Sequence, residues 1–230
     1  MVYRCGGAAV KVLREELRSD PEVRERFGND ATVASLVEHP NVVRVLEAGA
    51  GWVRMELVEG PSLRELAPLP VARAAALVVQ AASAVDAVHA AGYVHRDVKP
   101  GNLLVGPADR VVLIDFALAR RMDAPEPWVT AEGNWLGTPE FAAPEQIRGL
   151  AMDARSEVYS LGAVLYWAIT GEVPFARGDA DAIMRAHLHD PPPGTGTPLD
   201  PVIARAMAKD PADRHPSAAA FSANVQNTTP

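Results

Sequence analysis

One cysteine, Cys5, is all the thiol chemistry this chain of 230 residues carries. An internal disulfide framework and a cysteine-based zinc site are therefore excluded, and the composition fits a reducing compartment. Positive charge is not in excess either: 22 Lys and Arg stand against 29 Asp and Glu, a net charge of -7. Binding to a phosphate backbone needs a basic stripe, so nucleic acid is not an expected partner. Long apolar runs are scarce. The longest near a helix, Ala74 to Val85, lies between Arg73 and Asp86 and is too short to cross a bilayer; it reads as a buried helix, and no membrane span is expected. The opening residues, MVYRCGGAAVKVLREEL, become charged too soon for a secretory leader, which leaves a cytoplasmic address.

What is present is an ordinary globular composition, 48% hydrophobic and 22% charged, enough for one sizeable core or two small lobes. In residues 1–59, AAVKVL reads as a strand, and DPEVRERFGNDATVASLVEH as a helix with Asp20 as its cap and Pro21 at its first position. NVVRVLEAG and WVRMELVEG follow as a strand pair, giving a small sheet that carries one helix. Residues 60–230 are mostly helical. Two strand-like runs around NLLV and RVVLIDF flank the turn GPADR, and RSEVYSLGAVLYWAITG is apolar nearly all round, ending in Gly171 as a central helix should.

Chemistry concentrates in YVHRDVKPGNLLV, Tyr93 to Val105. Asp97 and Asn102 lie on a loop, since Pro100 and Gly101 forbid regular structure between them. Asp115 follows at the end of the apolar run VVLI, and pairing of the flanking strands would bring these three oxygen-bearing side chains together. Phosphoryl transfer needs hard oxygen ligands for Mg²⁺, a carboxylate to orient the attacking hydroxyl, and positive charge on the moving phosphate. Asn102 and Asp115 are suitable metal ligands, Asp97 a suitable base, and Lys99 can reach the phosphate.

These segments resemble the motifs of bacterial Ser/Thr protein kinases of the eukaryotic-like type. HRDVKPGN is similar to the catalytic loop, DFALAR to the metal-binding motif, GTPEFAAPE to the end of the activation segment, and AVKVL to the strand bearing the ATP lysine. The resemblance covers residues 2 to 225 and implies an α+β, bilobal kinase-like fold: a small antiparallel sheet lobe with one helix (1–59) and a larger helical lobe (60–230). It implies ATP and Mg²⁺, with Mn²⁺ as a substitute, and a protein substrate. Asp97, Lys99 and Thr138 take catalytic positions, with Lys99 and Thr138 matching the family's choice of Ser/Thr acceptors. Lys11 would pair with the α/β-phosphates, Ala9 and Leu104 would sandwich adenine, Met55 would be the gatekeeper, and the backbone of Glu56 and Val58 would meet the adenine edge. His95 and Phe116 would stack, and Glu145 and Arg214 would form a buried ion pair. Thr130 stands out as a phosphorylation site with Arg96 as charge partner, and Trp128 and Trp135 as packing or docking residues, including for a second copy in autophosphorylation.

Four departures from the family pattern imply reduced activity. VYR resembles the second strand, so the first strand and the glycine-rich loop are missing, and Gly6 and Gly7 cannot replace that loop. Asp30 stands where a Glu should pair with Lys11, withdrawing the charge by roughly 1.5 Å, enough to weaken the pair unless the helix moves inward. Ala117 replaces the glycine after Asp115 and Phe116, narrowing that loop's conformations. Glu157 replaces an Asp that holds the catalytic loop backbone. Two other readings stay open: a pseudokinase acting as a binding or scaffold module, favoured by these departures, and a small-molecule phosphotransferase, disfavoured by Lys99, the long activation segment and APE.

Overall fold

Gly6 and Gly7, both at positive φ (+54° and +76°), turn β1 (Val2–Cys5) back onto β2 (Ala8–Val12) with Cys5 opposite Ala8. Two residues at positive φ are what a tight primed hairpin turn requires. The computed structural model describes residues 1–123, 138–176 and 178–229. Asp20 opens helix α1 (Pro21–Leu36) by accepting the Glu22 and Val23 backbone N–H groups at 2.9 and 3.2 Å, with Pro21 at the first position, as the sequence predicts. Strands β3 (Val45–Gly49) and β4 (Trp52–Glu56) complete an antiparallel sheet in the order β1-β2-β4-β3. Its register sets Lys11 opposite Val53 and Ala9 opposite Met55.

The rest is helical, with short strand pairs. Helix α2 (Leu63–Leu66) is opened by a Ser62/Glu65 capping box. Helix α3 (Val71–Ala90) leads to β5 (Tyr93–Val94), which pairs with β8 (Arg120–Arg121); between them β6 (Leu103–Val105) pairs with β7 (Val111–Leu113). Then come α4 (Pro144–Ile147), α5 (Ala154–Thr170), α6 (Ala180–His189), α7 (Asp200–Ala206) and α8 (Ala218–Thr228). Helix α5 stops at Gly171, which takes φ +74°, the left-handed cap expected of it. The core lies where α3 and α5 pack on each other and on α8, around Leu77, Val85, Leu161 and Phe221. Each such fully buried aliphatic or aromatic side chain contributes about 1.5–3 kcal/mol.

Two expectations change. Helix α3 runs for 20 residues, with a mean hydropathy of 1.5 over its most apolar stretch, so by length and composition alone it suffices for a membrane span; the reading of this run as too short is corrected. Arg73 and Asp86 do not end it because they lie on its outer face, where Arg73 pairs with Asp109 and Asp86 accepts the Ala219 N–H. Half of that stretch is buried inside the protein. The strand expected from Asn41 begins only at Val45, because the preceding residues stitch the sheet to β7 instead. Val43 N–H donates to the Leu113 carbonyl at 3.0 Å, Leu113 N–H to the Asn41 carbonyl at 2.8 Å, and Asn41 Nδ2 to the Val111 carbonyl at 2.7 Å.

Candidate active site

The loop after β5 is held from three sides. Arg96 takes φ +73°, and its N–H donates to Glu157 Oε1 of α5 at 2.7 Å. The ring of His95 packs edge-on against Phe116 with centroids 4.7 Å apart. Its Nε2 faces the Ile114 carbonyl at 3.1 Å and its Nδ1 accepts the Asp97 N–H at 3.3 Å, so both ring nitrogens are engaged. The substituted Glu157 thus still holds the loop backbone, and its longer arm lets Oε2 reach His89 Nε2 at 2.7 Å.

Asp97 is the hub of this loop. Its Oδ2 lies 2.7 Å from Lys99 Nζ and accepts Asn102 Nδ2 at 2.9 Å, while Oδ1 accepts the Thr138 hydroxyl at 3.3 Å. Lys99 Nζ also donates to Thr138 Oγ1 at 2.8 Å, closing a ring of three side chains around the carboxylate. Asn102 donates a second time to the Asp97 carbonyl, and its own carbonyl accepts the Ile114 N–H at 3.0 Å, tying the loop to the segment that carries Asp115.

Asp115 faces the sheet. Its Oδ1 accepts Lys11 Nζ at 2.9 Å, and Lys11 is also 2.5 Å from Asp30 Oδ2. Burial works against charge on Lys11, but the two carboxylates outweigh it and hold its pKa above the ordinary lysine value. Burial likewise works against charge on Asp115, yet Lys11, with help from His95 and Lys99, keeps it below the ordinary carboxylate value. Lys11 and Asp115 therefore each stabilise the charged form of the other.

At Asp30 the shorter acid meets Lys11 because α1 sits inward, the one arrangement that keeps the pair: Asp30 is 3% exposed and accepts the Phe116 N–H on Oδ1 at 2.6 Å. The positive φ in this loop falls on Asp115 (+67°), and Ala117 is not among the residues with positive φ.

A cavity of about 300 Å³ opens beside these charges. Ala9, Lys11, Asp30, Met55, Glu56, Val58, Leu104 and Asp115 all line it, together with Val2 and Ile114. Asp97, Lys99, Asn102 and Thr138 do not; they form the adjoining cluster, and Lys99 and Thr138 line a second cavity of about 100 Å³ with Phe141 and Trp167. Thr130, Trp128 and Trp135 lie outside the described residues.

A largely apolar cavity, a lysine between two acids and a carboxylate ringed by Lys, Asn and Thr thus stand side by side, and the sequence model of the protein kinase domain matches residues 4–219. The chain belongs to the protein kinase family. This kinase domain is 40% identical over 234 residues to serine/threonine-protein kinase PknJ of Mycobacterium tuberculosis, covering 93% of the chain and 39% of that protein. It is 39% identical over 241 residues to serine/threonine-protein kinase pkn3 of Myxococcus xanthus, covering 94% and 44%, and 37% identical over 236 residues to serine/threonine-protein kinase PknB of Mycobacterium leprae, covering 94% and 38%. The chain spans about two fifths of the length of these relatives.

The kinase family uses ATP with a divalent metal, generally Mg²⁺. Among the described residues no cluster of three or more His, Cys, Asp or Glu makes an all-protein metal cage. Mg²⁺ generally binds proteins through one or two carboxylates plus substrate phosphates. Asp115 has one oxygen on Lys11 and a second to offer, and Asn102, with its nitrogen spent on Asp97, offers its side-chain oxygen. In the kinase domain three supporting residues escape sequence reading. Asn29 donates to two carbonyls of the metal loop, Asn41 ties sheet to β7, and Arg110 grips the Glu56 carboxylate with both nitrogens at 3.1 Å. Their only sequence signal is a polar residue within or beside an apolar run.

Proposed function

We propose that this chain transfers the γ-phosphoryl group of ATP to serine or threonine hydroxyls of proteins. The observation that carries the reading is the ring of Lys99, Asn102 and Thr138 around the Asp97 carboxylate, joined through Ile114 to Asp115. Asp97 would accept or orient the acceptor proton, Lys99 would sit on the transferring phosphate, and Thr138 would fix both. Lys11, held by Asp30, would take the α/β-phosphates; Asn102 and Asp115 would hold Mg²⁺, which neutralises phosphate charge when bound. Ala9 and Leu104 would sandwich adenine beside Met55, with the backbone of Glu56 and Val58 at its edge; all five line one cavity. Mn²⁺, another hard cation, would substitute. We place the chain in the cytoplasm, where ATP and protein hydroxyls meet and an exposed thiol such as Cys5 stays reduced, with a second copy as one of its substrates.

The test is incubation of the purified chain with Mg²⁺ and labelled ATP, with and without a generic protein acceptor. Transfer that Asp97→Asn and Lys11→Met abolish is the expected result. No transfer and no thermal shift with Mg²⁺ and ATP would sink the reading in favour of a scaffold module.

A further inference from the structure

Helix α1 touches the metal-binding loop through two consecutive residues, and only one of them is explained by the lysine pair. Asn29 Nδ2 donates to the Phe116 carbonyl at 3.0 Å and to the Ala119 carbonyl at 2.6 Å, using both of its hydrogens. Asp30 Oδ1 accepts the N–H of the same Phe116 at 2.6 Å. Ala119 N–H also donates to the Phe116 carbonyl at 3.0 Å, so the two acceptors of Asn29 are the two ends of one turn. Directly before it sits Asp115 at φ +67°, a conformation that a residue with a side chain keeps only where its surroundings over-determine it.

We propose that Asn29 is a positioning residue for the metal ligand Asp115: its amide clamps the 116–119 turn, and the clamp makes the placement of α1 and the aim of the Asp115 carboxylate one mechanical unit. The proposal rests on the nucleotide-and-metal reading of the site. Asp30 alone secures one end of the turn, through the Phe116 N–H; Asn29 secures the far end at Ala119 as well. Lys11, held between Asp30 and Asp115, completes the same unit from the sheet side.

The experiment titrates Mg²⁺ against binding of a fluorescent non-hydrolysable ATP analogue to the full chain. Asn29→Leu, of similar size but without donors, raises the Mg²⁺ concentration for half-maximal binding about tenfold, as the loss of two part-buried hydrogen bonds implies, and leaves metal-free nucleotide binding within about twofold. Asn29→Ala, a strong helix former, shifts it likewise, and Asn29→Gln, which keeps an amide on a longer arm, recovers part of the loss. In the nucleotide-free protein, backbone amide exchange over residues 116–119 speeds up in the Leu and Ala variants. An unchanged Mg²⁺ profile and unchanged exchange would overturn the proposal, as would an equal loss of metal-free binding, which marks a general folding role. Absence of Mg²⁺-dependent binding in the wild-type chain would overturn the reading of the site itself.

Discussion

His89 Nε2 and Glu157 Oε2 meet at 2.7 Å inside the protein, and the other oxygen of Glu157 takes the backbone N–H of Arg96, the residue before Asp97. A buried carboxylate thus spans the end of α3 and the loop that carries Asp97. Glu157→Gln keeps the shape and removes the charge, setting an amide N–H₂ or oxygen against a histidine that needs an acceptor. A loss of about 2–3 kcal/mol in urea unfolding is expected, together with a fall in kcat, since the loop backbone is held by the same group. A variant as stable as wild type would show that the His89 contact is idle.

Arg214 is 1% exposed and meets Glu145 with two bonds, 2.6 and 2.9 Å, while also donating to the carbonyls of Arg155, Ala208 and Lys209. Arg214→Ala leaves a buried carboxylate and three carbonyls without their donor. We expect a loss of about 3–5 kcal/mol, read as a large drop in the urea midpoint. Glu145→Gln, which retains acceptor and shape, costs less.

Acid should weaken the fold in a defined window. Asp115, Glu145 and Glu157 all resist burial and are nonetheless held below their ordinary values of 3.8, 4.5 and 4.5 by Lys11, Arg214 and His89 respectively. A carboxyl with a depressed folded pKa adds stability that is full above the ordinary value and disappears as pH falls through the folded one. Stability against urea is therefore expected to be flat with respect to these groups above about pH 5.5 and to decline steadily below about pH 4.5. Arg214→Ala should flatten part of that decline.

Thr138 contributes one hydroxyl to the ring around Asp97. Thr138→Val keeps its shape and deletes the bonds to Lys99 and Asp97. Steady-state kinetics should give a kcat lower by about tenfold with the KM for ATP little changed, because the hydroxyl lies outside the nucleotide cavity. A rise in that KM without change in kcat would contradict the placement.

Much of this was legible before any coordinates. Asp20 and Pro21 announce α1, Gly171 ends α5, and the alternation around Lys11 and Arg54 marks strands, because caps and side-chain periods are local properties. The contact of Asp97 with Asn102, and of Asn102 with the residue before Asp115, follows from a loop and a strand pair of short span. Residues whose partners lie far along the chain were not legible. Asn29 reaches Phe116 and Ala119, and Asn41 reaches Val111, across distances that composition does not encode. The extent of α3 is hidden for a related reason: Arg73 and Asp86 bound the uncharged run, yet the helix continues past both because their charges lie on its outer face.

At position 30 the length of a side chain and the seat of a helix have been adjusted to each other. Replacement toward the average of a family usually steadies a protein; here Asp30→Glu would drive an extra methylene into a space already closed by Lys11 and the Phe116 amide. Overpacking of this kind typically costs about 1–3 kcal/mol, so Asp30→Glu should melt earlier and bind nucleotide more weakly than the wild type in a thermal-shift titration. At that one residue, a change toward the motif this chain resembles is expected to run against the fit of this particular architecture.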